Sequence, residues 1–142
     1  MKNFENALVL AAGIAERSCD LISDGWIKGR FYDDKKLPQR FCILGAIELA
    51  TEELMEGAST DAKRIVKDVV ESFVSVEVQS RIIHAFNDTR TNQEDVVGAL
   101  RAAADSLWTV ATETPEEEVD MTKYVVKSKD EPQYQYLYNT LN

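Results

Sequence analysis

The sequence predicts an all-α protein: a compact domain of four or five helices, followed by an irregular, partly extended C-terminal segment. Apolar residues recur at spacings of three and four along most of the first 112 residues, which is typical of helices that bury one face. Only six glycines and three prolines interrupt the 142 residues. We therefore divide the chain into a helical domain, residues 1–112, and an acidic, tyrosine-containing extension, residues 113–142.

The first helix is predicted from about Asn3 to Ser23. Its apolar face is formed by residues at helical spacing, namely Phe4, Leu8, Ala11, Ala15, Cys19 and Ile22. Gly25 stands where a left-handed glycine commonly closes a helix, and Trp26 can fold back on that helix end. Residues 27–39 have no sustained period and predict a loop, with a tight turn at Asp33-Asp34.

The second helix is predicted from Gln39 or Arg40 to about Glu56, with Gly57 as its natural end and a solvated face of glutamates. A third helical segment begins at one of three candidate N-caps, Ser59, Thr60 or Asp61. Alternation of apolar and polar residues around 74–79 interrupts the helical period. Residues 60–87 are therefore predicted to form one kinked helix or two short ones.

The last helix of the domain is predicted from about Asn92 to Thr112. Thr91 and Glu94 have the spacing of a capping box, in which each side chain takes one backbone N–H at the start of a helix. The chain changes character after Glu113, where acidic residues and a proline precede a short β-prone run at 124–126. The extension is therefore not predicted to continue the helical domain.

The chain is acidic, with 16 basic and 25 acidic residues and a net charge of −9. Binding to nucleic acid or to anionic lipid depends on Lys and Arg displacing counterions, so this charge opposes both. No apolar stretch approaches the roughly 20 residues that cross a bilayer, and the N-terminus does not resemble a signal peptide. We expect a soluble cytoplasmic protein in which Cys19 and Cys42 are buried free thiols.

Three stretches resemble an uncharacterised family of small bacterial and phage proteins, known only as a domain of unknown function. They are Asp24-Gly25-Trp26, the run Phe41-Cys42-Ile43-Leu44-Gly45-Ala46-Ile47, and Phe86-Asn87-Asp88 with Glu94-Asp95-Val96-Val97 and the following Leu100-Arg101-Ala102-Ala103. The resemblance covers roughly residues 6–108, and Phe86 departs from it, since tryptophan is expected before Asn-Asp. It implies a fold and a phage or bacterial origin but no reaction.

No catalytic residue, metal site or cofactor is predicted. Cys42, His84 and Asn87 or Asp88 are the residue types of a thiol triad, but Cys42 lies in an apolar helical stretch without a glycine-rich nucleophile turn. A thiol enzyme would also require rapid alkylation of Cys42. Two cysteines and one histidine show no zinc-ligand spacing, and neither a phosphate loop nor a dinucleotide fingerprint occurs.

The segment from residue 24 to 40 is the locally positive part of this acidic chain, with five basic and three acidic residues. Its aromatic and basic side chains could hold a phosphate or a nucleotide, because bases stack on aromatic rings and cations bind phosphate. The candidate ligand residues are Trp26, Arg30, Tyr32, Lys35, Lys36 and Arg40. Alternatively, the aromatic residues fill the end of a helical bundle while the charges stay solvated.

The extension offers a different class of function, the binding of a protein partner. It could add a strand to that partner or place carboxylates in a basic groove. The residues concerned are Glu116, Glu117, Glu118, Asp120, Tyr134, Tyr136 and Tyr138. Helical spacing of Tyr134, Leu137, Tyr138 and Leu141 equally predicts that the segment packs on the chain's own core.

The sequence thus favours a non-enzymatic function, in which a small acidic protein binds and modulates a protein partner. With the family resemblance, this becomes a phage-encoded inhibitor of a host enzyme or defence component, acting in the host cytoplasm. The alternative is a domain that binds a small molecule or a nucleotide phosphate through residues 26–40. The oligomeric state, including a homo-oligomer, stays open.

Overall fold

The computed structural model describes residues 6–29, 32–33, 39–78, 83–89 and 92–125. In this part of the chain it contains five α-helices and one pair of two-residue strands: α1 Ala7–Asp24, β1 Tyr32–Asp33, β2 Arg40–Phe41, α2 Ile43–Leu54, α3 Thr60–Glu77, α4 Ile83–Thr89 and α5 Gln93–Glu113. Two 3-10 helices, Glu116–Glu118 and Met121–Tyr124, follow α5. The predicted all-α fold is confirmed.

Helix α1 is the centre of the fold and packs against α5, α2 and α3. Half of its residues are buried, and a third of these are alanines, which let neighbouring helices approach closely. The remaining core comes from the inward faces of the other helices, with Phe73 of α3 as its largest fully buried side chain. Burial of this continuous apolar surface is the main source of stability in a domain of this kind.

Three helix starts are capped by short polar side chains, each of which accepts a hydrogen bond from a backbone N–H that the helix leaves unpaired. Asn6 caps α1, accepting from Leu8 N at 3.0 Å. Ser59 caps α3, accepting from Ala62 N at 3.1 Å, which confirms it among the three candidates. Asn92 caps α5, accepting from Asp95 N at 2.9 Å. The predicted capping box has Thr91 as the N-cap. This prediction is wrong by one residue, because the N-cap of α5 is Asn92.

The prediction that a left-handed Gly25 closes α1 is wrong. Gly25 has extended backbone, with φ of −174° and ψ of 122°. Its C=O accepts a hydrogen bond from Phe41 N at 3.0 Å, and Ile27 N donates to Phe41 O at 3.0 Å. Glycine is needed here for close approach, since a Cβ would lie 2.8 Å from the carbonyl oxygen of Gln39.

Helix α2 begins later than predicted because Arg40 and Phe41 belong to β2, which pairs with β1 in antiparallel register. The turn predicted at Asp33-Asp34 is wrong at Asp33, which belongs to β1. Asp34 lies outside the described residues. Gly57 does adopt a left-handed conformation, with φ of +92°, in the turn that follows α2.

The segment predicted as one kinked helix or two short ones forms two, since α3 ends at Glu77 and α4 begins at Ile83. The prediction of β structure at residues 124–126 is wrong at its first residue, because Tyr124 ends a 3-10 helix. The ring of Tyr124 is buried against Phe73, with 6.0 Å between ring centroids. The beginning of the predicted extension thus packs on the helical core.

Candidate functional site

A buried asparagine joins the three stretches that carry the family resemblance. Asn87 on α4 is fully buried. Its side-chain Oδ1 accepts hydrogen bonds from the indole Nε1 of Trp26 at 2.9 Å and from the backbone N of Ile43 at 3.2 Å. Its Nδ2 donates to the carbonyl oxygen of Ile27 at 3.1 Å. One side-chain amide on α4 therefore holds together the segment after α1 and the start of α2.

Asp88 extends this network. Its Oδ1 accepts from Nδ2 of Asn87 at 3.1 Å and from the backbone N of Gly29 at 2.9 Å. An amide side chain can accept two hydrogen bonds and donate two, and Asn87 makes all four. The amide has no capacity left for a substrate or for orienting a histidine, so its role is to position chain segments.

Both cysteines are free and buried, as predicted. Cys42 lies at the N-cap of α2, where its Sγ accepts from the backbone N of Gly45 at 3.4 Å. Burial raises the pKa of the Cys42 thiol and that of Cys19. A raised pKa keeps a thiol protonated at neutral pH, whereas a nucleophilic cysteine needs a lowered one. The side chain of His84 lies outside the described residues.

In the loop predicted as a ligand site, the described side chains make contacts within the protein, although Arg40 Nε is buried without a hydrogen-bond partner among the described residues. Besides its bond to Asn87, Trp26 lies under the ammonium of Lys28, 5.3 Å from the ring centroid. Arg40 Nη2 pairs with Asp33 Oδ2 at 2.5 Å. Arg30, Lys35, Lys36 and the side chain of Tyr32 lie outside the described residues, so the structure does not bring the predicted set together.

The acidic residues predicted to bind a partner are exposed. Glu116, Glu117 and Glu118 form the first 3-10 helix. Asp120 starts the second one, accepting from the hydroxyl of Thr122 at 2.6 Å and from its backbone N at 3.1 Å, and these bonds lower its pKa. Tyr134, Tyr136 and Tyr138 lie outside the described residues.

A groove of about 670 Å³ lies between α2 and α3, and we call it the α2–α3 groove. Its apolar part is formed by residues of β2 and α2, namely Phe41, Leu44, Gly45 and Leu49. Its polar part is formed by Gln39, Glu48, Glu52, Lys67 and Glu71. A mostly apolar concavity with a few polar groups is the usual form of a binding site.

Sequence reasoning missed this groove, because the glutamates of the second helix were interpreted as a plain solvated face. A signal was present in the sequence. Leu44 precedes Glu48 by about one helical turn, as Leu49 precedes Glu52 and Lys67 precedes Glu71. Periodicity does not show that α2 and α3 would turn these two faces towards the same opening.

Two ion pairs cross between the helices beside the groove. Lys67 Nζ lies 3.1 Å from Glu48 Oε1, and Lys63 Nζ lies 2.9 Å from Glu52 Oε1. Both glutamates are more than half exposed, so each pair contributes no more than about 1 kcal/mol to stability. Their main effect is to occupy two of the three groove carboxylates.

Glu71 is the third groove carboxylate, and its environment differs. Burial raises its pKa to about 7, against the ordinary value of 4.5, although nearby Lys67 acts in the opposite direction. Among the described residues, none donates a hydrogen bond to this carboxylate or lies within ion-pair distance of it. Glu71 is therefore a half-buried acid whose ionised form the groove itself does not satisfy.

Replacing Glu71 with glutamine is expected to stabilise the protein above pH 7 by about 1–2 kcal/mol. The folded-state pKa lies above the unfolded one, so ionisation opposes folding. This penalty is absent below about pH 4, grows between the two pKa values and is complete above pH 7. Urea denaturation of both proteins at pH 4 and pH 8 measures it. A difference that does not change with pH would contradict the raised pKa.

The amino-acid sequence matches a model of a protein family. A model described as a family of unknown function, DUF6197, matches residues 9–106. The chain belongs to this family. The match confirms the expected kind of family and includes the Asn87 network and the α2–α3 groove. No curated protein and no solved structure matches.

Two structural features are absent from the described residues. No helix among them has the length and apolar character to cross a membrane. In the same part of the chain, no group of three or more His, Cys, Asp or Glu side chains is arranged to hold a metal ion.

Proposed function

We propose that this protein binds a segment of a partner protein in the α2–α3 groove and thereby modulates that partner. One observation carries the proposal: the groove combines an apolar part, with Leu44 and Leu49, and a polar part that contains three carboxylates. Peptide-binding grooves commonly pair apolar contact area with a polar rim, which gives affinity from burial and specificity from charge.

The shape of the groove favours a chain segment over a small compact ligand. From Leu44 to Glu52 it follows α2 for about 12 Å, at 1.5 Å per helical residue. About four residues of an extended peptide have that length. Gln39 and Phe41 continue the lining beyond the start of the helix, which lengthens the surface available to a segment.

The charge of the protein supports a basic partner. The groove holds three glutamates and one lysine, and the whole chain carries −9. Complementary charge speeds association and selects among partners more than it adds affinity. The exposed carboxylates at 116–118 and 120 could contribute in the same way, as a second acidic surface for the same partner.

The proposal is of a non-enzymatic function. Its support is that both thiols have raised pKa values and that the Asn87 amide is fully bonded within the protein. Together with the resemblance to phage proteins, this extends the proposal to an inhibitor of a host enzyme or defence component in the cytoplasm.

The test is selection of peptides from a random 12-residue display library on the immobilised protein, followed by calorimetry of the enriched peptides. We expect enriched peptides that bind the wild type and lose at least about tenfold in affinity for two groove variants, Leu49→Glu and Glu48→Arg. Glu48 is 61% exposed, so its variant should fold even if Leu49→Glu does not. Glu16→Arg, an exposed reversal on α1, is the matched control and should bind normally.

Two outcomes would overturn the proposal. One is the absence of any enriched peptide. The other is binding that is insensitive to both groove variants but lost when Glu116, Glu117 and Glu118 are all changed to lysine. The second outcome would move the interface to the exposed acidic residues after α5.

A further inference from the structure

We infer that the α2–α3 groove recognises a lysine or arginine side chain of the bound segment, with the cation against Glu71 and the aliphatic stem along Leu44 and Leu49. This inference rests on the proposed function and names the chemistry that the groove selects. It also makes Glu71 the residue that determines specificity at this site.

The ion pairs of the groove single out Glu71. Glu48 is paired with Lys67 at 3.1 Å, and Glu52 is paired with Lys63 at 2.9 Å. Glu71 has neither a hydrogen-bond donor nor an ion-pair partner among the described residues. A ligand cation placed there supplies a missing partner, whereas at the other two glutamates it would have to displace a lysine.

The apolar part of the groove suits the rest of such a side chain. Lysine and arginine bury their methylene stems along apolar surface while the charged end reaches a polar partner. Leu44 and Leu49 are only partly buried, and Gly45 between them adds no side chain. The groove therefore provides apolar contact close to a carboxylate, which a shorter cationic group could not use fully.

The charges that face Glu71 determine how strongly it attracts a cation. Lys67 on the same helix opposes the approach of a second cation, although Glu48 of α2 neutralises it at 3.1 Å. Asp68 and Glu48 add negative potential. These charges together favour the binding of a cation at Glu71, although Lys67 limits the negative potential of the empty groove.

Binding of a cation at Glu71 should release a proton. Burial raises the pKa of Glu71 to about 7, so the carboxyl is partly protonated at neutral pH in the empty groove. A cation binds the ionised form, and the proton leaves to solvent. Affinity should consequently fall about tenfold from pH 8 to pH 6, as the ionised fraction falls.

The experiment uses an enriched peptide and a copy in which its lysine or arginine is replaced by norleucine, which keeps an unbranched stem. Calorimetry in two buffers of different ionisation enthalpy measures affinity and proton release at pH 6, 7 and 8. We expect the norleucine peptide to bind about tenfold more weakly at pH 8. Glu71→Gln should weaken only the cationic peptide and abolish the proton release.

A second measurement does not require a selected peptide. The side-chain carboxyl ¹³C signal of Glu71 is followed at pH 7 while Nα-acetyl-lysine amide is added at millimolar concentrations. We expect the signal to move towards its ionised position, whereas Nα-acetyl-norleucine amide should leave it unchanged.

The outcomes separate the two proposals. Equal binding of the cationic and norleucine peptides, with both still sensitive to Leu49→Glu, overturns the inference and leaves the proposed function standing. A Glu71 signal that responds to the lysine amide although no peptide is enriched supports the cation site and overturns the protein-segment proposal. Proton release that persists in Glu71→Gln overturns the assignment to Glu71.

Discussion

Replacing Asn87 with alanine is expected to lower the free energy of unfolding by about 3–5 kcal/mol. The change removes the partner of the Trp26 indole N–H, the Ile43 backbone N–H and the Ile27 carbonyl at once. Each buried polar group left without a partner costs about 1–3 kcal/mol, and Asn87 is fully buried, so water does not replace the lost bonds easily. Urea denaturation, fitted to two states, measures the loss.

Asn92→Ala is the matched control for this prediction. Asn92 is exposed and makes one capping bond to Asp95 N, so its loss should cost only about 1 kcal/mol. Asn87→Asp separates shape from bonding, because it keeps both accepted bonds but replaces the donor with an oxygen facing Asp88. A cost for Asn87→Ala no larger than that for Asn92→Ala would contradict the structural role assigned to the network.

Replacing Tyr124 with alanine is expected to destabilise the protein by about 3 kcal/mol. Tyr124 is 4% exposed, and its ring packs against the fully buried Phe73. Removal of a buried aromatic ring loses its transfer free energy and leaves a cavity beside α3. Thermal and urea denaturation measure this loss, and Tyr124→Phe, which keeps the ring, should cost clearly less.

This prediction bears on how the extension can be studied. Truncation after Thr112 removes Tyr124, so it is expected to destabilise the helical core as well as to remove the acidic residues. Loss of partner binding in a truncated chain would therefore not identify the interface, which is why charge changes at 116–118 are the better test. A truncated chain as stable as the full chain would show that Tyr124 contributes little.

The helices could be predicted because their signal is local. The buried faces of α1 and α5 repeat at helical spacing, and the cap at Ser59 lies directly before the helix that it starts. The prediction of a left-handed Gly25 is wrong because the position suits two uses of glycine. Only the approach of Gln39 and Phe41, 14 and 16 positions away in sequence, shows that close contact decides.

The candidate site was less accessible to prediction, since its parts are distant in sequence. Asn87 was noticed as part of a motif, but its bonds to Trp26 and Ile43 join residues 61 and 44 positions apart. The raised pKa of Glu71 depends on burial in a groove that exists only after α2 and α3 pack together. Residue types alone predict only a solvated face for the glutamates of the second helix, and they say nothing of Glu71.

The first turn of α2 does not provide an open binding site for a phosphate. The N-terminus of a helix is a ready backbone site for phosphate, because its leading N–H groups lack partners and carry partial positive charge. In α2 the N–H of Ile43 is bonded to Asn87, and the N–H of Gly45 is bonded to Cys42. The nearby Arg40 is paired with Asp33. A phosphate arriving at this helix would have to displace the side chains that hold the helix in place, so anion capture and an intact fold compete here.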